Sequence, residues 1–127
     1  MTKQEIFDKV VKHFSIQRTG AYGDGACWYR TSDGRKCAVG ALIPDEVYNP
    51  DCEEAPVGTL FAHYPAMMQA SGLRSEDQDL LSALQVAHDC TTPGDNFLVD
   101  LSRSLRLVAV QFDLDASSLV QLKEEGR

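Results

Sequence analysis

A chain of 127 residues with 43% apolar content has the length and composition of one domain with one core. Its net charge of −7 is concentrated: residues 37–102 carry one Lys or Arg against eleven Asp and Glu, while residues 1–36 carry seven against four. A block of that sign repels nucleic-acid phosphates and lipid headgroups, which argues against direct nucleic-acid binding and leaves a protein partner as the complementary class. No segment approaches the roughly 20 apolar residues of a membrane-spanning helix, and acids interrupt the opening MTKQEIFDKVVKHF where a secretory signal is apolar. The expectation is a cytoplasmic protein with no membrane association.

In chain order, Thr2 and Glu5 form a capping box, and Ile6, Phe7, Val10, Val11 and Phe14 recur at helical spacing, so a helix is predicted over residues 2–16. Its other face carries Lys9 and Lys12, with His13 at the border as a solvated or boundary residue. The glycines of GAYGDGA mark an irregular loop. A β-hairpin is predicted over residues 26–40, with strands Ala26–Thr31 and Arg35–Gly40 joined at Ser32-Asp33-Gly34. If Thr31 faces Arg35, then Tyr29 faces Cys37 and Cys27 faces Val39. Both cysteines then share a face, with Cα atoms roughly 7–8 Å apart, which is close enough to share a metal and poor for a disulfide.

Pro44 suits the first turn of a short helix through Tyr48, and Asn49–Gly58 reads as an acidic loop. Short helices are expected at Thr59–Tyr64 and Pro65–Ala70, with Met67 and Met68 as adaptable core filler and Gly72 as the stop. Ser75 with Gln78 forms a second capping box for a helix whose stripe is Leu80, Leu81, Leu84, Ala87 and His88. A third long helix begins near Asp95 or Asn96 and presents Phe97, Leu98, Leu101, Leu105, Val108 and Phe112 to the core. Asp115 caps a last short helix containing Leu119, Val120 and Leu122, and the tail KEEGR is expected to fray. The fold class is α+β: one mainly helical domain over residues 1–127 with a single β-hairpin packed against the helices. The apolar faces of the last two long helices serve a monomer core or a homodimer equally well.

Three constellations can carry chemistry. Cys27, Cys37, Cys52 and Cys90 contain no CxxC pair, and without an export signal they read as reduced thiols. A zinc site would draw on Cys27, Cys37, His88 and Cys90, but His88 shares its stripe with Leu81 and Leu84, so a structural role is the simpler reading. Arg30, Arg35 and Lys36 cluster with Thr31 and Ser32 at the hairpin tip as an anion site, with Asp33 partly neutralising them. No cofactor is implied. Protein contacts are expected from Asp45, Glu46, Asp51, Glu53 and Glu54 together with the three cations of the tip.

The third constellation rests on a resemblance. GDGACWYR resembles the DGNCLYR-type active-site segment of the ovarian-tumour family of cysteine proteases, with Asp24 and Gly25 matching and Cys27 in the nucleophile's place. His63-Tyr64 resembles that family's HY pair, so the resemblance implies a cysteine hydrolase with Cys27 and His63 as catalytic candidates. Ala26 stands where the family has asparagine, and TSDGRK reads as a turn where the family continues into a helix. More broadly, GACWYR, DGRKCAVGALIPDEVY and LLSALQVAHD look like a group of small bacterial and bacteriophage proteins without an assigned activity. That likeness implies a bacterial or phage origin and one recurring domain type, and it brings no catalytic residue with it. The leading expectation is a small acidic, non-enzymatic protein-binding domain, engaging a host protein. A metal-stabilised domain and a cysteine hydrolase are the alternatives.

Overall fold

The computed structural model describes residues 1–123, and the tail expected to fray lies outside them from Glu124 onward. The elements are α1 (Lys3–Gln17), β1 (Tyr22–Gly23), β2 (Ala26–Cys27), α2 (Val57–His63), α3 (Pro65–Ala70), α4 (Gln78–Asp89) and α5 (Phe97–Gln111). Short 3-10 segments lie at Gly40–Leu42, Pro50–Cys52, Ser75–Asp77 and Ser117–Leu122. The architecture is mainly helical α+β with one antiparallel hairpin. No helix among the described residues is long and apolar enough to cross a membrane.

The capping box at Thr2 and Glu5 is formed in both directions, and Glu5 Oε1 accepts the Thr2 N–H at 2.8 Å. All five apolar residues of the first stripe are fully buried. So are Leu80, Leu81 and Leu84 on α4, and complete burial of each such side chain contributes roughly 1.5–3 kcal/mol relative to exposure. α5 closes the core with Phe97, Leu98, Leu101, Leu105 and Val108. The Ser117–Leu122 segment packs against both α1 and α5, burying Leu119 and Leu122 and leaving Val120 exposed; the Asp115 carboxylate accepts the Ser117 N–H at 2.8 Å.

The second cap differs from the expected Ser75/Gln78 box. Asp77 is the group that turns the chain into α4: its buried carboxylate accepts the Arg74 N–H at 3.0 Å and meets Lys3 Nζ at 3.1 Å. The ion pair thereby ties α1 to the start of α4. Pro44–Tyr48 is a single turn, with the N–H groups of Val47 and Tyr48 both donating to the Pro44 carbonyl, where a short helix was expected.

The hairpin is displaced from the predicted 26–40. Its strands pair Tyr22 with Cys27 and Gly23 with Ala26 across a two-residue turn, Asp24-Gly25, whose φ values of 52° and 76° are both positive as a type I′ turn requires. The second turn does form: Thr31 N–H donates to the Arg35 carbonyl at 2.9 Å, and a single bridge pairs Arg30 with Lys36 in the predicted register. Beyond it the Cys37 N–H donates to the Tyr29 carbonyl at 3.1 Å, and the ladder ends there: the Tyr29 N–H donates to the Glu53 carboxylate at 2.8 Å, whose other oxygen takes the Arg30 N–H at 3.0 Å. On the other arm, a turn at Ala38-Val39 leads into the 3-10 segment Gly40–Leu42 and offers no strand edge. Cys27 therefore faces Tyr22 and not Val39, and it is exposed while Cys37 is buried.

His13 belongs to the fold. Its Nε2 lies 3.0 Å from the Lys36 carbonyl, and Gln17 brackets the same peptide, accepting the Lys36 N–H and donating to its carbonyl, both at 2.8 Å. Burial holds the His13 pKa below its ordinary 6.5. Between that lowered value and 6.5 the unfolded chain binds the proton more readily, so stability is expected to fall as pH drops through this window. Denaturant unfolding at a series of pH values should show that decline, flattened in His13→Gln. Gly40 provides a second test. A methyl there would overlap the carbonyl oxygen of Tyr29, whereas Gly34, at φ +89°, has open space around it. Gly40→Ala should cost at least about 2 kcal/mol and Gly34→Ala about 1 kcal/mol by the same measurement.

Candidate functional site

A groove of about 380 Å³ lies between β2, the 53–57 segment and α4. Trp28, Ala55, Pro56, Val57 and Val86 supply apolar walls, and Cys27, Glu53, Glu54 and Asp89 supply the polar groups; no Lys or Arg lines it. Trp28 is fixed by its indole N–H, which donates to the Gly23 carbonyl at 2.8 Å. The hairpin thus holds both the tryptophan and the thiol at the groove.

Cys27, the nucleophile candidate, sits in surroundings that oppose its ionisation. Partial burial of the sulfur against the groove wall, the Asp89 carboxylate and the neighbouring Cys90 together push its thiol above the ordinary range. A catalytic cysteine needs the reverse, an adjacent imidazolium or helix N-terminus that lowers the value. His63 does not provide it: this residue is exposed at the C-terminal end of α2 and does not line the groove. The structure does not bring the two catalytic candidates together.

His88, next in the chain to the groove residue Asp89, is committed elsewhere. It is fully buried, and its Nε2 accepts the backbone N–H of Ala21 at 3.0 Å. The ring proton is therefore on Nδ1, which donates to Asp89 Oδ1 at 2.8 Å, and Gln85 donates to the same oxygen at 2.9 Å. Tyr22 stacks on the ring at 4.8 Å with an interplanar angle of 15°. Both ring nitrogens are occupied, so His88 offers a lone pair neither to a thiol nor to a metal.

The proposed zinc ligands are likewise not assembled. Among the described residues no group of three or more His, Cys, Asp or Glu is placed to hold a metal ion. Cys37 is enclosed in the core, its thiol pushed up to about 12 by burial, and its sulfur accepts the Gly40 N–H at 3.3 Å. Cys52 is buried as well, its thiol raised to about 11 by burial and then by Glu53. Cys90 is exposed at the end of α4.

The cationic tip is consumed internally. Arg30 pairs with Asp45 at 2.7 Å, donates to the Ile43 carbonyl and lies over the Tyr48 ring at 4.4 Å from its centroid. Lys36 meets the same Asp45 at 3.1 Å. Arg35 holds Asp33 and donates to the carbonyls of Gly20 and Tyr22, at 3.2 and 2.8 Å. The three cations form a brace across the loops, each paired with a carboxylate. Of the acidic contact candidates, Asp45 and Glu53 are engaged in that scaffold, Glu53 also accepting the Tyr48 hydroxyl. Glu46, Asp51 and Glu54 remain exposed.

Two groove features have no local signal as such. The pairing of Asp89 with His88 is local, but its place beside Cys27 depends on the hairpin docking onto α4. Pro56-Val57 comes from a segment that reads in the sequence only as an acidic loop.

The chain is thus a single mainly helical α+β domain bearing an acid-lined, apolar-walled groove. No protein-family model, curated protein or solved structure matches it.

The thiol's surroundings make a testable statement. In a variant whose other exposed cysteine is removed (Cys90→Ser), Cys27 should react with a disulfide reagent at neutral pH more slowly than a free cysteine peptide. Replacing the carboxylate (Asp89→Asn) should accelerate the reaction by up to about tenfold, while Asn Oδ1 still accepts from His88. Reaction at or above the peptide's rate would contradict the geometry.

Proposed function

We propose that this chain is a small non-enzymatic protein-binding domain whose groove takes a basic peptide segment carrying an apolar anchor. The observation that carries the reading is the lining itself: apolar walls from Trp28, Pro56, Val57 and Val86, carboxylates from Glu54 and Asp89, and no cation. Concave apolar surface with a few convergent polar groups is the usual form of a binding site, and a rim of one charge selects partners of the other. The raised thiol at Cys27 and the committed imidazole of His88 favour binding over hydrolysis.

The exposed thiols of Cys27 and Cys90 suit a reducing compartment, so we place the protein in the cytoplasm. The resemblance to small bacterial and phage proteins fits a factor of such origin that engages a host protein.

The test is titration calorimetry with two synthetic peptides, one alternating Lys and Arg around a central Trp, the other with Glu in place of the cations. Only the basic peptide should bind, more weakly as salt rises, and Glu54→Gln should weaken it several-fold without changing the melting temperature. Equal binding of the two peptides, or binding indifferent to salt and to Glu54→Gln, would refute the reading. Substitution of Glu53 is unsuitable here, since Glu53→Gln breaks the clamp on Tyr29 and Arg30 and should cost roughly 1–3 kcal/mol of stability.

A further inference from the structure

Four of the six large apolar side chains that stand exposed among the described residues lie on α4 and α5, the other two being Ile16 on α1 and Val120 in the Ser117–Leu122 segment. Val99, Leu107 and Val110 stand 52%, 71% and 76% exposed on α5, and Val86 stands 58% exposed on the adjoining α4. With Arg103 and Arg106 between them, positions 99, 103, 106 and 110 advance by four, three and four residues. That alternation is the spacing with which one helix meets another along a seam. A groove of about 600 Å³ runs beside the ridge between α4 and α5, bounded by Asp79, Ala83, Val86, Leu107 and Gln111.

Charge decides what can cover this face. In a chain of net charge −7, a second copy is repelled over most orientations, so a self-contact must be locally neutral. The acid-lined groove beside Cys27 fails that condition. The α4–α5 face meets it: its charged groups are Asp79 and Asp100 against Arg103 and Arg106.

Geometry supplies the register. Phe97 at the start of α5 lies 6.4 Å from the His88 ring near the end of α4, while Asp79 at the start of α4 shares its groove with Gln111 and Phe112 at the end of α5. The two helices are therefore antiparallel. A two-fold axis crossing α5 near Arg106 and Leu107 runs a second α5 antiparallel to the first, which places Arg103 of each copy at the level of Val110 and Gln111 of the other. Asp79 sits at that level. Each Leu107 then enters the α4–α5 groove of the other copy, and each Arg103 meets the other copy's Asp79, a contact made twice by symmetry.

We infer that this chain forms an isologous homodimer through α4 and α5, with Leu107 as the central knob and Arg103–Asp79 pairs at its two ends. This face adjoins the Cys27 groove, Ser82 and Val86 lining both, but the dimer is read from oligomeric state alone, so its failure is distinguishable from failure of the peptide-binding reading.

Sedimentation equilibrium of the full chain from micromolar to sub-millimolar concentration tests it. The wild type should dimerise, and Leu107→Glu should be monomeric with an unchanged circular dichroism spectrum; Val110→Lys should behave likewise, so that one poorly folded variant does not decide the matter. Arg103→Asp should weaken the dimer about tenfold, and combining it with Asp79→Arg should restore the affinity. A wild type that stays monomeric throughout, or a dimer that survives both Leu107→Glu and Val110→Lys, overturns the proposal. Failure of the combined charge exchange to restore affinity overturns the register.

Discussion

The fold depends on one buried imidazole. His88 is fully enclosed, and a polar ring at zero exposure is tolerable only when its nitrogens are satisfied. The Ala21 N–H answers Nε2 and the Asp89 carboxylate answers Nδ1, while Phe14 of α1 and Tyr22 of β1 stack on the ring and Phe97 of α5 meets it edge-on. The hydroxyl of Tyr22 reaches the carbonyls of His88 and Thr91, closing the end of α4 against the hairpin. Gly20 is required in the same arrangement, because a methyl there would stand 2.9 Å from Nε2 and closer still to the Tyr22 ring. Four elements thus converge on a residue that a functional search would otherwise assign to metal or proton chemistry.

The Glu53 carboxylate plays the corresponding part on the other side of the hairpin. By taking the N–H groups of Tyr29 and Arg30 and the hydroxyl of Tyr48, it replaces a missing strand with a side chain from a loop. Together with Asp45 and Asp77, it removes three of the middle segment's acids from the pool that meets a partner. The charge available for recognition is consequently local. It is acidic at the groove beside Cys27 and balanced on the α4–α5 face, and these two surfaces select different partners.

The helices were legible because their signal is local: residues 6, 7, 10, 11 and 14, and then 80, 81, 84, 87 and 88, repeat at the helical period, and each set is buried. The hairpin was misplaced for a physical reason that one pair of residues illustrates. Asp24-Gly25 carries the two-residue turn signal, but Gly20 and Gly23 dilute the strand pattern before it, while the longer apolar run around Cys27 looks like the better strand. What stops that run from pairing is Glu53, more than twenty positions away, and no periodicity announces it. The role of His88 was hidden in the same manner, since its acceptor nitrogen is fixed by a backbone amide 67 residues earlier. The cysteines show the consequence for function: extending the strands beyond the Arg30–Lys36 bridge puts Cys27 and Cys37 on a shared face, whereas the fold pairs Cys27 with Tyr22 and leaves one thiol at the surface and the other in the core.

The account stands or falls on the state of the His88 ring, which a long-range proton–nitrogen correlation spectrum of the labelled protein reads directly. It predicts a proton on Nδ1 and a bare Nε2 that accepts the hydrogen bond of the Ala21 amide. A proton on Nε2 would mean that the amide is bound elsewhere and that Nδ1 is free. His88 would then return as a base or ligand beside Cys27, and the reading of this domain as a binding module would fail.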